Sequence, residues 1–316
     1  MKLTNSNKEI YYSLTILIVP LVLLFGIVLH SKIKKGDVSE VSTASVIQNK
    51  FEYRINPFDS IKVAGRSAIV KDINSEEIFY QKNPDLILPL ASITKLMSVM
   101  LVKEYALSEN EIVTISANAL ETQGESFFFI NENFELHKLL KMMLVASSND
   151  AAAAVREHFE SKTGLNFISE MNLLAAKIGM ENTRFFNETG LDMINNTPGA
   201  VGTVSDLSIL FEYILKNYPE IFEYSKMIRY DTYSGNGLYY QINNTNGIIP
   251  KLKNLIGTKT GYTDLASGNL GVIIDPDLNM PTIIIVLGST YEGRFDDVLK
   301  LNNTLSEYFN YKINQN

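Results

Sequence analysis

The 316-residue sequence has no cysteine and only three histidines. Without thiols there is no cysteine nucleophile, no disulfide and no cysteine-held metal, although the redox compartment stays open. The histidines are poorly placed for catalysis: His30 closes an apolar segment, His137 falls on a Leu-rich helical pattern and His158 near the end of an Ala-rich one. None stands beside a plausible nucleophile in the sequence, so a serine enzyme built from this chain is expected to need a base other than imidazole. Basic charge is short as well. The formal net charge is −7 and no cluster of Lys and Arg is interleaved with aromatics, which argues against nucleic acid as a partner. Internal repeats are missing, and only the terminal Asn-Gln-Asn is low in complexity. What the chain does have is apolar residues, 46% of the total, enough for a sizeable core in one large or two ordinary domains.

One apolar block stands apart. "YYSLTILIVPLVLLFGIVL", Tyr11 to Leu29, is uncharged and, at about 1.5 Å per residue, close to the ~30 Å hydrocarbon thickness of a bilayer. It predicts a transmembrane signal-anchor helix over residues 11–30 behind a short cytoplasmic tail at 1–10. The following "HSKIKKGD" offers no small-x-small site, which speaks against a cleaved signal peptide. Lysines flank the span on both sides and lean weakly toward a cytoplasmic C-terminus. Residues 31–57 are polar and aperiodic and read as a linker. The globular part, 58–316, opens with a predicted hairpin, "RSAIVKDI" and "EEIFYQ" around Asn74-Ser75. Helical patterns follow at Ser92 to about Tyr105, Phe134 to Val145, Asp150 to Phe159, Leu165 to Ile178 and Val204 to Asn217. Strands return in "NLIGTKTGYT", "ASGNLGVII" and "TIIIVLGS", ahead of a last helix from Arg294. Strands at both ends around a helical middle predict an α+β fold with one sheet drawn from both termini.

Three short motifs carry chemistry. In "PLASITKLM", Ser92 and Lys95 are one helical turn apart, close enough for an amine to meet a hydroxyl. A serine that only capped the helix would be better followed at the third position by Glu or Gln than by a cation facing the helix dipole. Burial and that dipole both disfavour an ammonium ion, so Lys95 can supply a neutral amine as base for Ser92. In "LVASSNDAAAAV", Ser147-Ser148-Asn149 falls between two helices, where it either caps the second helix or presents a hydroxyl and an amide to a cleft. Four other S-x-N matches, beginning at Ser108, Ser116, Ser234 and Ser267, lack that setting. In "LIGTKTGYT", Lys259-Thr260-Gly261 lies in a β-favouring run, and Gly261 permits close backbone approach. A second copy, Lys162-Thr163-Gly164, sits between helical patterns and reads as a helix C-cap.

S-x-x-K, S-x-N and K-T-G in this order resemble the penicillin-recognising serine hydrolases, and within them the D-alanyl-D-alanine carboxypeptidases of peptidoglycan metabolism. The resemblance runs over roughly residues 58–312 and includes "MNLLAAKIGMENTRFFNETGL" and "GTKTGYTD". It implies a β-lactamase/transpeptidase-like fold, an antiparallel sheet with a helical subdomain. By position, Ser92 would be the acylated nucleophile, Lys95 its base and Ser147 the relay of a proton to the leaving D-alanine. Asn149 would hold the substrate amide, Lys259 would supply positive potential, and Thr260, beside Gly261, would contact the terminal carboxylate together with Arg294 of "STYEGRFDD". The backbone N–H groups of Ser92 and Tyr262 would form the oxyanion hole. No metal or organic cofactor is implied. The implied partners are stem peptides ending in D-Ala-D-Ala, β-lactams as covalent inhibitors, and a membrane through the N-terminal helix. Because mature peptidoglycan lies outside the membrane, residues 31–316 are expected there, as a single-pass protein of the cell membrane. The chain departs from the common pattern in ending about 55 residues after K-T-G, without the usual C-terminal β-domain and amphipathic anchor helix. Three alternatives remain: a D,D-endopeptidase acting on cross-links, a class A β-lactamase with Glu181 as its added glutamate, and an inactive wall-binding protein.

Overall fold

Residues 56–122 and 128–313 are described by the structure, a computed structural model. They fall in one compact unit, Ile55–Asn316, while a second, Met1–Arg54, lies outside the described residues together with the anchor expected at 11–30. The expectation of a single-pass membrane protein is corrected accordingly: among the described residues no helix is long and apolar enough to cross a membrane.

The predicted hairpin is present. β1 (Ser67–Asp72) pairs antiparallel with β2 (Ile78–Lys82), and Asp72 Oδ1 accepts from the amides of Asn74 and Ser75 at 2.7 and 2.6 Å to fix the turn. β3 (Leu88–Pro89) leads through a 3-10 turn, Ala91–Ile93, into α1 (Thr94–Glu104). Next come β4 (Ile112–Thr114), β5 (Asn133–Glu135), α2 (Leu136–Val145), α3 (Asn149–Thr163) and α4 (Phe167–Ile178). β6 (Arg184–Phe185) and β7 (Ala200–Gly202) join β3 in a small sheet ahead of α5 (Val204–Asn217) and α6 (Glu220–Ser225). Thr203 caps α5, its hydroxyl accepting from the Asp206 amide. A hairpin that the pattern did not reveal follows, β8 (Arg229–Tyr233) and β9 (Tyr239–Asn243). β10 (Leu255–Thr263), β11 (Ser267–Ile274), β12 (Thr282–Ser289) and α7 (Gly293–Ile313) complete the fold.

The main sheet runs β10-β11-β12-β1-β2, every neighbour antiparallel, so strands from both ends of the unit meet at β12 and β1. Alternate residues serve two cores. Ile69, Ile283, Ile285 and Leu287 join the helical core, whereas Val70, Ile284 and Val286 pack with Val298, Leu301 and Leu305 of α7. A sheet covered on both faces needs apolar residues at every position, which is why "TIIIVLG" shows no alternation. Gly271 of β11 makes room for α5: a Cβ there would lie 2.4 Å from the Phe211 ring. α1 is the central helix, buried without a break from Thr94 to Val102. It has no solvent face, so its lysine is buried with it.

Candidate active site

The Ser92 turn departs from the sequence expectation. The α-helix starts at Thr94, not Ser92, and Ser92 sits in the preceding 3-10 turn without capping any amide. Ala91 takes φ 48°, a left-handed conformation costly for a residue with a Cβ, and it turns the chain sharply from β3 into the helix. Lys95 Nζ lies 2.9 Å from Ser92 Oγ, 2.7 Å from Asn149 Oδ1 and 3.1 Å from the Thr189 carbonyl. Burial pushes the Lys95 amine down to about 7, partly opposed by the charge of Glu188. Three neighbours suit a neutral amine: two N–H groups donate to the Asn149 and Thr189 oxygens, and the lone pair remains for the Ser92 hydroxyl.

The second motif divides its duties. Ser148 is the N-cap of α3, accepting from the Ala151 amide at 3.2 Å, so the capping reading holds for that residue. Ser147, at φ 60°, points elsewhere: its hydroxyl accepts from Lys259 Nζ at 2.8 Å. Asn149, the first residue of α3, reaches Lys95. The two K-T-G copies separate as expected. Gly164 ends α3 at φ 71°, and Lys162 pairs with Glu111 on the surface. Lys259, 1% exposed, lies in β10 with its pKa held well below the ordinary value by burial and by the charges of Lys95 and Arg294. A Cβ on Gly261 would stand 3.0 Å from the Leu90 carbonyl and 3.2 Å from the Ser92 amide, so glycine lets the strand close against the Ser92 turn.

Arg294 is buried at the head of α7, in line with Val298, Leu301 and Leu305. Its Nη1 donates to the Gly261 carbonyl at 3.0 Å, and the guanidinium packs 4.3 Å from the Tyr291 ring centroid. Asp297, one turn further along α7, is not its partner. Asp297 instead accepts from the Ala64 and Gly65 amides and from Ser289 Oγ. Ser92, Ser147, Asn149, Thr260, Tyr262 and Arg294 line one cleft of about 270 Å³. Segments 92–95, 147–149, 259–262 and 294 thus converge there.

Several contributors carried no motif. Thr245 lines the same cleft and its Oγ1 is 2.5 Å from Thr260 Oγ1. The turn Asn187–Gly190 supplies the Thr189 carbonyl and is held by Asn187 Oδ1, which accepts from the Gly190 amide at 2.7 Å. Gly190, at φ 77°, abuts the Ser92 turn so closely that a Cβ would fall 1.9 Å from the Ala91 oxygen. The segment "FFNETGL" signals this in its Asn and Gly, the residues such a turn needs. The carbonyl itself has no sequence signature.

Comparison with known proteins decides among hydrolase families. Residues 53–290 match a family described as D-alanyl-D-alanine carboxypeptidase, peptidase S11. The chain belongs to this carboxypeptidase family. Its members are serine hydrolases, and the resemblance read from the motifs is correct. A D-alanyl-D-alanine endopeptidase of Escherichia coli (strain K12) is 32% identical over 231 residues, 72% of either chain. The D-alanyl-D-alanine carboxypeptidase DacF of Bacillus subtilis (strain 168) is 31% identical over 261 residues, 79% of this chain and 65% of that one. Penicillin-binding protein D2 of Listeria monocytogenes, in its ampicillin-bound form, matches with TM-score 0.65 and 29% identity over 77% of this chain and 98% of that one. The α+β fold with its antiparallel sheet is the fold of these carboxypeptidases and penicillin-binding proteins.

Proposed function

We propose that residues 58–316 form the catalytic domain of a serine-type D-Ala-D-Ala carboxypeptidase that removes the terminal D-alanine from peptidoglycan stem peptides. The observation that carries the reading is the buried amine of Lys95 at 2.9 Å from Ser92 Oγ, with its pKa lowered to about 7. Neutral Lys95 takes the Ser92 proton as Oγ bonds to the carbonyl carbon of the penultimate D-alanine. The oxyanion is met by the backbone N–H groups of Ser92 and Tyr262. As the C–N bond breaks, a proton reaches the leaving amine through Ser147, which Lys259 orients. Water then hydrolyses the acyl-enzyme. Asn149 holds the substrate amide, and Thr260 and Arg294 bind the terminal carboxylate. Arg294 favours an anionic substrate end, and a carboxylate entering beside Lys259 offsets the cationic neighbours that hold its pKa down and so favours its charged form.

β-Lactams enter the same chemistry as covalent inhibitors of Ser92, a reading supported by one similar protein, penicillin-binding protein D2 of Listeria monocytogenes, solved in ampicillin-bound and cefotaxime-bound forms. Labelling with a fluorescent penicillin tests it: Ser92→Ala should abolish the label and keep the circular dichroism spectrum. A label that survives on another serine overturns the assignment and with it the reading. A second reading, endopeptidase action on cross-links, is favoured by two relatives of that name at 32% identity, from E. coli and Pseudomonas aeruginosa. Digestion of purified peptidoglycan separates the two by released D-alanine versus cleaved dimers. The β-lactamase reading loses its glutamate, because Glu181 is exposed beyond α4 and does not line the cleft.

A further inference from the structure

A second cavity, of about 370 Å³, opens beside the cleft and shares Thr245 with it. Its other walls come from the end of α2, from Ser148 and from β9. Phe128, Met142, Ala146 and Ile242 give it an apolar lining, and among the described residues no charged side chain contributes. Most of its polar groups are already engaged. Ser148 caps α3, Thr245 is bonded to Thr260, and the Tyr240 hydroxyl donates to the buried carboxylate of Glu132 at 2.6 Å. Gln241 and Asn243, both exposed, alternate with Tyr240 and Ile242 along β9 and border the cavity only at its rim, the Gln241 amide lying against Arg229. The cavity therefore suits an uncharged aliphatic chain whose polar end stays at the mouth.

Its position relative to the reacting groups says which part of a substrate would enter. Thr245 touches Thr260, the proposed carboxylate contact, and Ser148 adjoins Ser147, the proposed proton relay to the leaving amine. Both lie at the end of the cleft where the departing residue is held. We propose that this cavity is the subsite for the side chain of the leaving residue, and that it takes a D-amino acid with a neutral aliphatic spacer running to an amide, as a cross-linked stem peptide presents. The inference rests on the leaving-group roles of Ser147, Thr260 and Arg294 given above. It makes the carboxypeptidase and endopeptidase readings two uses of one site. For a cross-link made through such a residue, the bond cut in each case joins D-Ala to a D-residue with a free carboxylate, and only the side chain of that residue differs.

The test compares acyl-D-Ala-D-X peptides with X as D-alanine, D-norleucine or Nε-acetyl-D-lysine, following release of X and, in parallel, acylation by penicillin. Burying about three methylene groups predicts kcat/KM roughly 10–50-fold higher for the two long residues than for D-alanine in the wild type. Ile242→Trp, which fills the cavity, should erase that ratio. Ile242→Ala, which removes a contact without adding bulk, should cut it a few-fold, and both should leave D-alanine release and penicillin acylation within about twofold. Equal kcat/KM for all three peptides in the wild type, or a parallel loss on all of them in Ile242→Ala, would overturn the subsite while penicillin acylation kept the reaction standing. Failure of the wild type to release any X or to be acylated would overturn the reaction and the subsite together.

Discussion

Acylation of Ser92 by penicillin should rise with pH through about 7 and then level off. The perturbation is pH alone, and the titrating group is Lys95, buried on every side and pushed down to about 7 by desolvation. Only the neutral amine accepts the Ser92 proton, so the rate follows its fraction: ~1% at pH 5, ~10% at pH 6 and ~90% at pH 8. The second-order rate constant should therefore fall about 100-fold between its plateau and pH 5. Stopped-flow measurement with a fluorescent penicillin from pH 5 to 9 gives the profile, with circular dichroism at each pH to show that the fold persists. Glu188, 8% exposed and 3.3 Å from Arg156 Nε, raises the Lys95 value, so Glu188→Gln should move the midpoint to lower pH. The same shift enters stability with a defined sign. Between about 7 and the free-lysine range, the unfolded chain holds a proton that the folded chain has released, so this group's contribution to stability rises with pH across that window. A rate constant that stayed flat from pH 5 to 9, or fell as pH rose, would refute the assignment of Lys95 as base.

Lys259→Ala should slow acylation by orders of magnitude, while Lys162→Ala, half exposed and paired with Glu111, should change activity little and stability by no more than about 0.5 kcal/mol; denaturant melts and labelling rates check both, and the reverse order would sink the strand-versus-cap distinction. Arg294→Ala should lower kcat/KM by about 10–150-fold on a D-Ala-D-Ala peptide with a free carboxylate and scarcely alter it on the amidated analogue, and equal losses on both would make Arg294 structural. Gly190→Ala forces a Cβ against the Ala91 carbonyl at a left-handed position, so thermal unfolding should come earlier and acylation should be lost; normal labelling would mean that the Ser92 turn tolerates displacement. Gly271→Ala should cost about 1–3 kcal/mol in urea melts, because the Phe211 ring in the core has little room to yield.

What the sequence made legible follows what local patterns can encode. The K-T-G copies were separable because Gly164 follows a helical period and Gly261 a β-favouring run, and those local signals match the αL cap and β10. The S-x-N triplet was harder, because Ser148 caps a helix while its neighbours face the cleft, and a motif string does not distinguish adjacent side chains pointing different ways. The helix at Ser92 was placed two residues early, since a 3-10 turn has nearly the same apolar spacing and the left-handed Ala91 has no residue-type signal. The β8–β9 hairpin escaped because its strands, "RYDTY" and "YYQIN", are half exposed and carry few of the branched residues that mark strands. Thr245 and the Thr189 carbonyl could not be read at all. They reach the site through tertiary approach, one as an ordinary threonine and the other as backbone.

The placement of β1 beside β12 bears on how the polypeptide is made. Residues 67–72 emerge early from a ribosome, yet their interior partner, 282–289, and the helix that covers both, 293–313, are synthesised last. Until then β1 has only the short β2 to pair with, and an isolated hairpin is marginal in water. The catalytic cleft, which draws on segments from 92 to 294, has no complete form until residue 294 has emerged. Assembly must wait until residues 282–313 have emerged, and the apolar "TIIIVLG" stretch has to be kept from other chains in the interval between synthesis and docking. Truncation within residues 287–313 should for that reason yield insoluble material and not a weaker enzyme.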